Sequence, residues 1–94
     1  MSEKRVRRLI THPETKTLRM VTLFEYPAKV GTQGSTVVWT IGRPKAGKPV
    51  FGYCLEDRYT PYMGGQAFRY AQATRFFVSS IQHREEGDFL TLSR

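Results

Sequence analysis

The sequence predicts an α+β fold: a small, strongly twisted antiparallel sheet of about five strands, with one helix in the C-terminal half packed on one face. Three observations carry this. Runs of β-branched and aromatic residues recur through the first 55 residues with turn formers between them. Apolar residues between Gln66 and Gln82 recur at helical spacing. A composition with 39% apolar and 13% aromatic residues in 94 residues suits one modest core, which makes residues 1–94 a single domain with 1–5 as a basic arm.

Lys4 to Thr11, KRVRRLIT, reads as a strand, or as a basic arm that becomes one, with Val6 and Ile10 interleaved with arginines. His12 to Lys16 is turn-like. Thr17 to Tyr26 alternates Leu18, Met20, Phe24 and Tyr26 against Arg19, Val21, Leu23 and Glu25. Both sides are partly apolar, as in a central strand, and Pro27 is expected to end it. Lys29 to Gly34 is a connection of ordinary length.

Ser35 to Ile41 and Pro49 to Leu55 form a predicted β-hairpin about a turn at Pro44 to Gly47. In that register Arg43 faces Lys48, Ile41 faces Val50, Trp39 faces Gly52 and Val37 faces Cys54. The indole then lies over a glycine on the core side, and Val38, Thr40, Phe51, Tyr53 and Leu55 take the other face. A slip of one residue exchanges the two faces. Phe51 and Tyr53 are read either as stacking rings beside the cationic tip or as core covered by a second layer.

Arg58 to Gly65, RYTPYMGG, combines contact-prone side chains with turn formers. It is a candidate protein-binding loop through Arg58, Tyr59, Tyr62 and Met63, or a loop whose tyrosines lie back on the core. The predicted helix over Gln66 to Gln82 buries Tyr70, Ala73, Phe77 and Ile81, with Thr74 and Val78 beside them. It turns Arg69, Gln72, Arg75 and Ser79 outward, stops at Gly87, and is followed by a last strand at Phe89 to Leu92. The competing reading takes RFFVSSI as a strand that turns through Glu85 to Asp88 and pairs with Phe89 to Leu92. The alternative architecture for the whole chain is a small barrel of OB type, with a helix between its third and fourth strands.

Net charge is +7, and its placement says more than its size. Residues 1–48 hold ten Lys or Arg against three Glu, residues 49–94 hold five of each sign, and no acidic side chain lies between Glu25 and Glu56. Such asymmetry points to a polyanion or an acidic protein surface as partner. Cys54 is the only cysteine, which excludes an intrachain disulfide and a cysteine-rich zinc site. The basic N-terminus leads into no apolar segment and no run of about 18 apolar residues occurs, so neither a signal peptide nor a membrane span is expected and a cytoplasmic protein fits best.

Motifs that would carry chemistry fail on inspection. Gly42 to Pro49, GRPKAGKP, nearly spells a phosphate-binding loop. However, Pro49 replaces the hydroxyl residue that would hold magnesium, two prolines remove amide donors, and a strand follows where a helix should point its dipole. His12, His83 and Cys54 have no metal-ligand spacing, Cys54 suits a small core residue, and the pairs Glu56-Asp57 and Glu85-Glu86 suit solvated element ends. A small ribonuclease cutting with Arg, Lys and Tyr is compatible with this size and basicity, but no catalytic residue is assigned. Gly42-Arg43-Pro44-Lys45 resembles the core of an AT-hook, with Ile41 where that family has a basic residue. The resemblance covers four residues and implies minor-groove contact.

The expected function is therefore non-enzymatic nucleic-acid binding without cofactor or metal. Phosphates would be contacted by Arg5, Arg7, Arg8, Arg19, Arg43, Lys45 and Lys48, and bases stacked on Phe51, Tyr53 or Tyr59. The alternative is an inhibitor or adaptor of the phage or plasmid type, docking on a larger nucleoprotein machine through protein contacts.

Overall fold

The computed structural model describes residues 4–32, 34–54 and 72–94. They form six strands: β1 (Arg5–Thr11), β2 (Leu18–Val30), β3 (Ser35–Ile41), β4 (Pro49–Cys54), β5 (Thr74–Arg84) and β6 (Gly87–Ser93). Each pairs antiparallel with the next, and β2 also pairs with β6, in parallel, through Ala28 with Leu90 and Val30 with Leu92. That last contact closes β2 to β6 into a barrel and leaves β1 outside it. The expected α+β class is thereby corrected to all-β among the described residues. The strand order is a plain meander, unlike the Greek-key order of an OB barrel.

The predicted helix falls where β5 runs. Residues 66–71 lie outside the described residues, and from Thr74 the chain alternates, with Phe76 and Val78 buried and Arg75, Phe77 and Ser79 exposed. Phe76 pairs with Val50 and Val78 with Leu92, so the period-2 pattern is fixed by partners on both sides. Adjacent phenylalanines fit either period, and two long-range ladders outweigh the local helical spacing. The C-terminal hairpin reading is the one that forms. Its chain reverses through Glu85 and Glu86, and Gly87, at φ 126°, supplies a conformation that side chains rarely adopt.

Strand β2 is 13 residues long and does not stop at Pro27. One of its edges pairs with β3. The other pairs with β1 up to Phe24, then with β6 from Ala28. On that second edge the Glu25 amide donates to the Lys4 carbonyl at 3.0 Å and the Gly31 amide to the Leu92 carbonyl at 2.9 Å. Amide direction alternates along a strand, so the nitrogen of Pro27 faces the same edge, in the gap where β2 changes partner. The missing N–H removes no rung there, which is why a proline sits in the middle of the longest strand.

The β3–β4 register also differs from expectation by one residue. Val38 faces Cys54, Trp39 faces Tyr53 and Thr40 faces Gly52. Beyond Thr40 the two strands splay: the Gly42 amide reaches back to the Thr22 carbonyl on β2, while Gly47 and Lys48 exchange backbone bonds with Val78 on β5. The anticipated two-residue turn opens into a loop across residues 42–48. A β-turn at its far side is closed by the Lys48 amide on the Lys45 carbonyl at 3.1 Å, with Gly47 at φ 78° in the third position.

This register sorts the apolar side chains into two clusters. Inside the barrel lie Tyr26, Ala28, Val30, Val38, Val50, Cys54, Phe76, Val78, Leu90 and Leu92, with Phe24 at one end. On the outer face of β1 to β4 lie Ile10, Leu23, Trp39, Tyr53 and Ala73, with Val6, Val21, Ile41 and Phe51 at the margin. Trp39 is 2% exposed, buried as expected but against Tyr53 rather than over Gly52. Gly52 is needed for another reason: a Cβ there would lie 2.8 Å from the Trp39 carbonyl oxygen and 3.2 Å from Val38 Cγ1.

Two substitutions test this account with opposite signs. Gly52→Ala forces apart two paired backbones and is expected to cost about 1 to 3 kcal/mol. Lys16, at φ 61° in the β1–β2 turn, is the one non-glycine residue with positive φ among those described, and Lys16→Gly is expected to stabilise by up to about 1 kcal/mol. Urea unfolding followed by Trp39 fluorescence reads both, and a neutral Gly52→Ala would contradict the close approach of β3 and β4.

Candidate functional site

Strand directions place three connections at one end of the barrel: the β1–β2 turn, the loop at residues 42–48 and the β5–β6 turn. Strands β1 and β2 extend past the barrel there as a two-stranded ribbon, and their register fixes which basic side chains share a face. Arg5 is opposite Phe24, Arg7 opposite Thr22 and Leu9 opposite Met20. Arg8 opposite Val21 and Ile10 opposite Arg19 point the other way, toward the outer cluster.

The loop at 42–48 brings a third guanidinium to the first of these faces. Arg43 Cζ sits 4.8 Å from the centroid of the Phe24 ring, which closes this end of the barrel interior. A cation over an aromatic face is favourable, and the arginine stem shields ring surface from water. The loop is anchored beside it, since the Gly42 amide reaches the Thr22 carbonyl and Thr40 Oγ1 donates to the Gly42 carbonyl at 2.7 Å. Arg7 Nη1 donates to Thr22 Oγ1 at 3.0 Å, and Arg8 Nη1 to the Arg7 carbonyl at 2.7 Å. An open cavity of about 380 Å³ is lined by Arg5, Val6, Arg7 and Thr22. Three arginines from two distant segments thus surround Thr22 and Phe24.

The other predicted residues are dispersed. Lys45 and Lys48 are exposed on the far side of the same loop, next to β5. Arg19 is exposed on the reverse of the ribbon. Phe51 is half-buried at the margin of the outer cluster, and Tyr53, 2% exposed within it, offers no face for a base. Arg58, Tyr59, Tyr62 and Met63 lie outside the described residues, as do Leu55 and the carboxylates Glu56 and Asp57. His83 Nδ1 lies 2.7 Å from Asp88 Oδ1 across the β5–β6 ladder, and Glu85 and Glu86 form its turn. Among the described residues no cluster of three His, Cys, Asp or Glu is placed to hold a metal, and no helix is long and apolar enough to cross a membrane.

Two features escaped the sequence. Leu18 and Met20 are 56% and 55% exposed on the projecting ribbon, because the barrel face they belong to ends at Phe24. Phe77, expected in the core, is 45% exposed on the outer face of β5, between Pro49 and Ser93 on the flanking strands. No strict alternation in the run Arg75-Phe76-Phe77-Val78-Ser79 marks it, and the one available signal was the strand-former content of RFFVSSI.

Comparison of the chain with protein-family models, with curated protein sequences and with solved structures finds no match.

The Arg43 contact is testable on its own. Arg43→Ala is expected to cost about 0.5 to 1 kcal/mol of stability and to accelerate hydrogen exchange at the Gly42 amide, with Arg43→Lys restoring only part. An unchanged exchange rate would mean that the loop is held without the stack.

Proposed function

We propose that this protein is a non-enzymatic nucleic-acid-binding protein that grips the phosphate backbone at the open end of its barrel. The observation that supports this best is the gathering of Arg5, Arg7 and Arg43 around Thr22 and Phe24, with Lys45 and Lys48 exposed on the same loop as Arg43. Guanidinium groups held side by side suit phosphate oxygens, since each presents several N–H donors in a fixed plane. Arg7 donates through Nη1 to Thr22 Oγ1, and a guanidinium carries five N–H donors in all. Basic side chains on a rigid strand and a tethered loop also lose less conformational entropy on binding than those on a free arm.

A second reading draws on a different observation. The exposed Leu18 and Met20, on the same ribbon face as Arg5 and Arg7, suit a protein partner with an apolar, acid-rimmed surface, as an inhibitor or adaptor of a nucleoprotein machine would need.

Salt titration separates the two. For a nucleic-acid binder, log affinity falls linearly with log salt, and Arg5→Ala, Arg7→Ala and Arg43→Ala should each flatten the slope by about one unit per lost phosphate contact. Leu18→Ser with Met20→Ser should leave that slope and affinity unchanged. Slopes unaffected by the arginine substitutions, or no binding to DNA or RNA at low salt, would refute phosphate recognition at this site.

A further inference from the structure

We infer that the outer face of β4, β5 and β6 is a base-stacking platform, so that the nucleic acid this protein takes is single-stranded. This rests on the phosphate-binding reading above and adds to it a second surface with its own chemistry.

The platform follows from register. On the outward side of β4 and β5, Phe51 faces Arg75 and Pro49 faces Phe77. On the outward side of β5 and β6, Phe77 faces Ser93, Ser80 faces Thr91 and Gln82 faces Phe89. Arg84 Cζ lies 4.1 Å from the centroid of the Phe89 ring, while its Nη2 donates to Gln82 Oε1 at 2.6 Å. Three phenylalanines, Phe51, Phe77 and Phe89, and two arginines, Arg75 and Arg84, therefore share one sheet face. Arg75 and Phe77, two residues apart on β5, are separated by about 6.8 Å along the strand. None of the outward positions on these strands among the described residues is Asp or Glu; Asp88 faces His83 on the opposite side, and Glu85 and Glu86 lie in the turn.

Phe77 decides what occupies the face. Phe51 packs against the outer cluster and Phe89 lies under Arg84, so both have structural work to do. Phe77 is 45% exposed on a strand whose neighbouring outward positions are polar, and a buried role does not explain it. A ring next to an arginine on an acid-free sheet face matches a partner that is flat, apolar on its faces and polyanionic along its length. That describes a single strand of DNA or RNA, because every base has a π-face and stacking on an aromatic ring tolerates any sequence. A duplex does not fit, since its bases are already stacked on one another.

The test compares single strands of equal charge, with a duplex beside them that is expected to bind no more tightly than the abasic strand per phosphate, by fluorescence anisotropy at two salt concentrations. The probes are single-stranded DNA and RNA dodecamers, an abasic DNA strand of the same length, and a duplex. The wild type is expected to bind the base-bearing strands at least about fivefold more tightly than the abasic strand, the lower end of what one base–ring stack contributes. Phe77→Leu keeps the apolar contact but removes the ring. It should abolish that preference and leave the salt slope unchanged. Phe77→Trp should retain the preference, and the introduced indole should be quenched on binding while the buried Trp39 is not. Equal affinity of the wild type for base-bearing and abasic strands, or a preference that survives in Phe77→Leu, would overturn the platform while leaving phosphate binding intact. Absence of binding to every strand would overturn both.

Discussion

The short parallel contact between β2 and β6 is the constraint on which the rest of the molecule depends. Three residue pairs, from Ala28 with Leu90 to Val30 with Leu92, turn a meander into a closed ring and bring Leu90 and Leu92 into one interior cluster with Val38 and Phe76. Closure removes the exposed ladder edges that a five-stranded open sheet of this size would present. It is possible because β2 divides one edge between two partners, and that division needs a place where no rung is required. Pro27 sits there. An amide at this position would be an extra donor with no ladder acceptor, so the proline suits the changeover and limits unfolded-chain freedom as well.

Closure also explains why the β3–β4 connection does not behave as an isolated hairpin. In a ring each strand must curve toward both neighbours. The end of β3 therefore follows β2 through Gly42 and Thr22, and the start of β4 follows β5 through Lys48 and Val78. The loop between them is stretched over the barrel end. Its charges are divided as a result: Arg43 is drawn back onto Phe24 toward the N-terminal ribbon, whereas Lys45 and Lys48 stay with β5. A protruding cationic tip would have been a mobile, sequence-local feature. What forms instead is a basic rim assembled from β1 and the loop, with its geometry set by the barrel.

Strand-forming stretches were legible in the sequence wherever β-branched and aromatic residues were bounded by turn residues. Arg5–Thr11, Ser35–Ile41 and Pro49–Cys54 follow their expected limits closely. What could not be read was long-range. The continuation of β2 past Pro27 depends on β6, more than 60 residues away, and no local pattern signals that a missing amide falls in a gap. The one-residue shift in the β3–β4 register has its cause at the loop: the ladder of a free hairpin runs to its turn, whereas these strands splay at the barrel rim. Phe76 and Phe77 were indistinguishable by hydropathy, and their opposite fates are set by Val50 and Pro49 across the ladder. At the candidate site, charge asymmetry pointed to the segments that carry Arg5, Arg7 and Arg43. Which arginines share a face required the β1–β2 register, and of the two readings of Tyr53 the covered one holds, because the one-residue shift puts Trp39 beside it on the outer face.

The distribution of apolar residues bears on how so small a protein keeps surface for contacts. The barrel interior combines the rings of Phe24, Tyr26 and Phe76 with small residues, Ala28, Cys54 and Gly52, where strands come close, and it does not take up every large ring of the chain. Trp39 and Tyr53 build a second cluster on the outside, against Ile10 and Leu23 of the β1–β2 ribbon. That cluster attaches the ribbon to the barrel and so fixes Arg5 and Arg7 relative to Arg43. With the outward side of β3 and the Tyr53 end of β4 committed to that cluster, the outward side of β5 and β6, together with the Pro49 end of β4, is the part of the barrel wall that remains for a ligand. There Phe77 is exposed beside Arg75, at the opposite flank from the residues that anchor the ribbon. The same closure that holds the basic rim together thus leaves an aromatic wall next to it, with the loop carrying Lys45 and Lys48 between the two.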